Sequence, residues 1–224
     1  MRNRSKFARY SLRNGGIQWV MDTKTLGFCA GKSEESSCWV KTIIPGTFFN
    51  DLIFVALKDE LLCINAEKGT ITKVIAEIPE KLLSSKKSLP PPSFFQFHSG
   101  KKVLSALWTW AYAEIDLDRL EVSVFRDMRT ELRRAHIRFK SLHYPAICGD
   151  HLITPLRYTP PAPLQDYEFS ELAAFNTRTF AIDWRFAFPR EEEVWLGSNK
   201  PVVEGNRIYM LDVNGVIHIF ERTT

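Results

Sequence analysis

The stretch "LAAFNTRTFAIDWRF", Leu172–Phe186, sets two alternating apolar runs, "LAAF" and "IDWRF", on either side of the polar turn "NTRT". Apolar and polar residues alternating at a period of two read as strands, and a short polar break between two such runs reads as a hairpin. The pattern recurs. "GIQWVMDTKTLGFCAG" starts near residue 16, "DLIFVALKDELLCINAEKGTITKVIAEI" at 51 and "KVLSALWTWAYAEIDLDRLEVSVFRD" at 102. "GDHLITPLRY" at 149 leads into the quoted stretch, and "GNRIYMLDVNGVIHIFERTT" starts at 205. These starts are about 35 to 55 residues apart, a spacing that suits repeated β-modules.

Each copy reads as strand, turn, strand, and four of the five continue to a further turn and strand. In the second, Asp51–Leu57 and Leu61–Ala66 surround "KDE", and "EKGT" precedes Thr72–Ile78. In the fifth, "VNG" separates Ile208–Asp212 from Val216–Glu221. Further strands are expected at "FFQFH" (94–98), "FKSLHY" (139–144) and "KPVVEG" (200–205). "FARYSL" (7–12) either completes the last group beside Val216–Glu221 as a clasp or belongs to the first group; it can serve only one. Helical spacing is confined to "RDMRTELRRAH", where Met128, Leu132 and Ala135 would share a face.

Five thin antiparallel groups cannot each exclude water from two faces alone. Stacked radially, every sheet covers its neighbours. The expectation is therefore an all-β fold, a small β-propeller of five blades of three to four antiparallel strands, with residues 1–224 as a single domain. A β-sandwich or open barrel is the alternative arrangement of the same strands.

The copies resemble the repeats of pyrroloquinoline-quinone-type propellers and the related WD-like repeats. That pattern is a strand, a "DG"-like turn, "LxALNxxTGxxxW" and an outgoing strand. "LAAFNTRTFAIDW" matches it, with Arg178 where the family prefers Gly; "LLCINAEKGTITKV" keeps Gly69 but has no Trp; "IYMLDVNGVIHIF" matches the incoming turn. The resemblance implies that Trp184 packs between blades as core. It does not bring the quinone with it, because the quinone enzymes are much longer, with about eight blades, metal ligands and adjacent cysteines. No cofactor is expected.

Composition bounds the function. With 30 Lys and Arg against 26 Asp and Glu, the net charge of +4 is too small by itself to argue for nucleic acid. No apolar run is long enough for a signal peptide or a membrane span, so the cytoplasm is the expected compartment. Cys29, Cys38, Cys63 and Cys148 form no CxxC pair; they read as structural thiols, with Cys29–Cys38 a bridge allowed by proximity alone. His98, His136, His143, His151 and His218 are scattered without metal-ligand spacing, and His218 shares a strand face with Val216, Phe220 and Arg222. Asp22, Asp116, Asp183 and Asp212 recur near strand ends, where Asp bonds to turn backbone. There is no GxSxG, P-loop or GxGxxG, and no catalytic or metal-binding residue is singled out. The acidic run "REEEVW" (190–195) reads as a solvated loop.

Two kinds of segment remain as candidate surfaces. "RDMRTELRRAHIRFK" carries six Lys or Arg against two acids, a net +4 that includes Arg129, Arg133, Arg134 and Arg138. "SLPPPSFFQF" (88–97) and "RYTPPAPLQDYEF" (157–169) are proline-rich, and the second interrupts a hairpin whose counterparts have short turns. Longer loops often carry binding, and Tyr158, Tyr167 and Phe94 would be the aromatic anchors. The resulting expectation is a non-catalytic protein-binding propeller, a scaffold or a bacterial immunity protein that covers a toxin. It would not insert into membranes and would not favour nucleic acid. The alternative is a small propeller hydrolase or lyase with carboxylates and histidines at the channel mouth.

Overall fold

Three of the polar breaks that punctuate the sequence fold into the same turn, and it fixes where those strand pairs end. The computed structural model describes residues 6–26, 42–43, 51–57, 61–75, 94–98, 101–107, 109–139, 145–161, 169–189, 194, 196 and 199–221. Among these, the strands form five sheets in sequence order. β1 (Lys6–Tyr10) pairs with β2 (Ile17–Asp22). β3 (Thr42–Ile43), β4 (Leu52–Ala56), β5 (Leu61–Asn65) and β6 (Ile71–Ile75) form an antiparallel second sheet. The third contains β7 (Phe94–His98), β8 (Val103–Leu107), β9 (Ala111–Asp116) and β10 (Glu121–Asp127). A short helix, α1 (Arg129–Arg134), follows.

In the fourth sheet β11 (Ile137–Phe139) and β12 (Ala146–Cys148) both pair with β13 (His151–Tyr158), which continues to β14 (Phe169–Asn176) and β15 (Ile182–Ala187). The fifth is β16 (Val202–Glu204), β17 (Arg207–Leu211) and β18 (Ile217–Glu221). The fold is all-β, blade-like sheets of a small β-propeller, with one brief α-helix among the described residues. Residues 7–10 pair with β2, so the expected N-terminal strand belongs to the first sheet. Of 139–144, Phe139 closes β11 and the rest lie outside the described residues.

The shared turn spans five residues. Asn65 Oδ1 accepts from the amides of Glu67 and Lys68, and Gly69 N returns to Asn65 O. Asn176 Oδ1 accepts from Arg178 and Thr179, and Phe180 N returns to Asn176 O. Asp116 Oδ1 accepts from Asp118 and Arg119. The fifth residue has positive φ in all three: Gly69 at 66°, Leu120 at 55° and Phe180 at 60°. The glycine-preferring position of the quoted stretch is therefore Phe180 and not Arg178. A second tie joins each turn to the turn one hairpin back: Ala66, Leu117 and Thr177 donate to the carbonyls of Asp51, Lys102 and Asp150.

The chain falls into two compact units: Met1–Pro91, Phe97–Leu104 and Ala113–Phe125; and Pro92–Gln96, Ser105–Tyr112 and Arg126–Thr224. The first unit's core joins Met21, Val55, Leu62 and Ile64, with Phe7 and Trp19 against them. Within the second unit, β14 alternates between two cores. Ala173 and Phe175 face Tyr112, Leu132 and Phe139, while Leu172 and Ala174 face Leu196 and Met210. A strand buried on both faces loses the simple apolar–polar alternation, which is why "LAAF" has no polar residue.

Candidate functional site

α1 begins after Asp127, whose Oδ1 accepts from Arg129 N, and ends at His136, which takes a positive φ of 56°. Met128 and Leu132 point inward, and Ala135, on the same side one turn on, is exposed. β11 then pairs with β13 so that Ile137 opposes Tyr158 and Arg138 opposes Arg157. Two segments twenty residues apart thus become neighbours. The basic helix stands beside the start of the proline-rich insertion.

Between them and β15 is a cleft of about 510 Å³. Its walls are Met128, Leu132, Ala135 and Ile137 on one side, and Phe180, Ala181 and Ile182 on the other, with Glu131 and Arg185 as its charged members. Glu131 is bound to Arg126. Arg185 sits over the Tyr158 ring, its Cζ 5.5 Å from the centroid. Its Nε lies 2.8 Å from Oε2 of Glu171, whose side chain is 2% exposed. The N–H is off line, so Oε2 accepts no hydrogen bond although the charges are close.

Burial pushes the Glu171 carboxyl up, and Arg185 only partly opposes this. A carboxyl that holds its proton more tightly when folded contributes stability below its ordinary 4.5 and loses it as pH rises through the folded value. Glu171→Gln should flatten that decline. Thermal melts at several values from about pH 4 to 8 measure it; parallel curves for both chains would remove the buried charge as its source.

The other predicted residues are distributed as follows. Arg129 lies 3.9 Å from Asp127, Arg133 stands over Trp110 at 5.5 Å, and Arg134 is exposed. Phe94 opens β7 and is part of a strand, not a loop. Tyr167 and the run 190–193 lie outside the described residues, as do Cys29 and Cys38. Cys63 is buried and its thiol is pushed up to about 12 by that burial, whereas Cys148 is exposed, against the expectation of a buried structural thiol. Trp184 is 37% exposed; it meets Phe220 edge-on at 5.7 Å, so it does lie between the fourth and fifth sheets, but at their rim.

The aspartates mostly bond to turn backbone. Asp22, Asp116 and Asp212 accept from amides two to four residues on. Asp183 does not; it takes Asn176 Nδ2 and His151 Nε2, both at 2.8 Å, and these bonds hold its carboxyl below the usual range. His218 is held by Asp212 at 3.1 Å and packs on Phe188, a satisfied structural histidine. His98 is pushed down to about 4 by burial and by Lys101.

Cys148 opposes His151 in the β12–β13 register, and His151 bonds Asp183, but no hydrogen bond joins the thiol to the ring. The cleft beside α1 has two charged residues in its lining, Glu131 and Arg185. Of these, Glu131 is already committed to Arg126. Among the described residues, no three of His, Cys, Asp and Glu are grouped as metal ligands. No described helix is long and apolar enough to cross a membrane.

Sequence reasoning missed Arg185, Glu171 and Phe180. The available signal was Glu171, a lone acid in the apolar run "FSELAAF".

No family model and no curated protein matches this chain. Solved structures do. Saccharomyces cerevisiae Sqt1, a WD40 propeller, superposes with a TM-score of 0.53 at 10% identity, covering 96% of this chain and 52% of Sqt1. The chain thus spans about half the length of that protein. Quinohemoprotein alcohol dehydrogenase ADHIIG from Pseudomonas putida HK5 superposes at 0.46 with 10% identity, over 73% of this chain and 27% of its own. The Sqt1 likeness bears on the fold alone.

Proposed function

We propose that residues 1–224 act as one non-catalytic protein-binding propeller domain that holds another protein on the α1 side of the fourth sheet. The observation that carries this reading is the Ile137–Tyr158 register, which sets an arginine-rich helix, a stacked tyrosine and an apolar cleft side by side. Tyrosine and arginine around a desolvated apolar pocket are the side chains that dominate protein–protein affinity. We assign Arg129, Arg133, Arg134, Tyr158, Tyr167 and Phe94 to partner contact. A scaffold role and a bacterial immunity role, covering a toxin in the cytoplasm, are the specific forms proposed for this binding.

The test is affinity capture from the native host with the intact chain and with an Arg133→Ala, Tyr158→Ala double variant, read by mass spectrometry. A protein retained by the first should fall by about tenfold or more with the second, since two anchors are lost. Melting temperatures of the two chains show whether the fold is kept. Equal capture by both would sink the assignment. Retention that collapses with salt and survives only with nucleic acid present would replace a protein partner by a polyanion.

A further inference from the structure

Resting on the protein-binding reading, we infer that the cleft beside α1 takes one large apolar side chain from a partner segment whose flanking residues are acidic, with Arg185 receiving a carboxylate. The walls fix the first half of this chemistry. Leu132, Ile137, Phe180 and Ile182 offer no hydrogen-bonding side chain, so only an apolar group gains by entering.

Arg185 fixes the second half. Its Nε lies 2.8 Å from Glu171 Oε2 and its Cζ stands 5.5 Å from the Tyr158 ring centroid, and the ion pair and the ring together restrict the guanidinium. Its two terminal nitrogens have no partner among the described residues, although the side chain borders the cleft. A planar guanidinium already oriented in this way loses little freedom when it forms a two-bond contact with a carboxylate. The neighbouring charge has the same sign. The segment from Arg126 to Lys140 carries a net +4, and the one acid in the cleft, Glu131, is bound by Arg126. An acidic partner is attracted before contact, and a basic one is repelled.

The test uses the full chain and a fluorescein-labelled peptide in which one phenylalanine is flanked by two glutamates on each side. Anisotropy should report binding that weakens by about tenfold or more when the phenylalanine becomes alanine or the glutamates become lysines. Arg185→Gln should weaken it similarly. Because that change leaves Glu171 buried beside a neutral group, Ala135→Trp provides an independent variant: Ala135 is exposed on the cleft wall, so a tryptophan there fills the space without disturbing the core. Its melting temperature should match that of the unmodified chain while peptide binding is lost.

Peptide binding that is indifferent to Ala135→Trp, or no binding at all, overturns the assignment. So does decanoate binding where the peptide does not, since the cleft would then serve a free amphipathic acid. If the partner captured from the host binds Ala135→Trp normally yet is lost with Arg133→Ala and Tyr158→Ala, the cleft chemistry is wrong and the protein-binding reading stands.

Discussion

Gly69→Ala should destabilise the chain by about 3–6 kcal/mol and lower the melting transition by about 10 °C or more, the largest loss expected from a single methyl group. Two costs combine. Gly69 has a φ of 66°, where a Cβ costs about 1–2 kcal/mol. The added atom would also lie 2.5 Å from Cδ2 and 2.6 Å from Cγ of Trp19. The indole cannot easily yield. Its Nε1 donates to Ala66 O at 3.0 Å, Phe7 meets it edge-on at 5.9 Å, and it lies against the Met21–Val55–Leu62 core. Displacing it gives up about 1 kcal/mol of hydrogen bond and about 1–3 kcal/mol through overpacking. Gly205→Ala is the control. Its φ of 57° is similar, but nothing lies within 4 Å of the new Cβ, so only the backbone cost of about 1–2 kcal/mol remains. Calorimetry on both variants measures the difference; equal losses would show that Trp19 moves aside freely.

The same turn shows what the residues disclosed and what they concealed. Strands were legible because a period of two survives wherever one face meets water, as in β17, where Ile208 and Met210 face the core and Arg207 is exposed. Asp116 and Asp212 were legible as turn acceptors because that bond is local, reaching amides two to four residues on. Phe180 was not. Positive φ is a property of the backbone, and a phenylalanine is accepted there because its ring packs on the Tyr112 cluster, a contact 68 residues away in sequence. Distance in sequence likewise hid the cleft. Its walls come from α1 and from the turn into β15, about fifty residues later, and only the β11–β13 register brings these segments together. Arg185 was concealed for a related reason: on a half-exposed strand it reads as a solvated charge, and its orientation by Glu171 and Tyr158 depends on three strands being in place.

Phe175→Ala and Trp184→Ala should separate packing inside a blade stack from packing at its rim. Both residues lie in the stretch whose alternation suggested the fold, and the repeat resemblance implies that the tryptophan is the structural one. The contacts reverse that order. Phe175 is fully buried and meets Tyr112 at 5.3 Å and Phe139 at 5.4 Å, both edge-on, so its removal leaves a cavity among rings that cannot collapse together. The expected loss is about 3–5 kcal/mol, including the aromatic pair terms. Trp184, with more than a third of its surface in water, keeps one face against Phe186 and an edge against Phe220. Phe188 lies edge-on to both Phe186 and Phe220 and holds the remaining cluster in place, so the expected loss is about 1–2 kcal/mol. Denaturant midpoints for the two variants give the comparison directly. A larger loss at Trp184 would mean that the fourth and fifth sheets depend on the rim cluster and that the Tyr112–Phe139–Phe175 core is the lesser support.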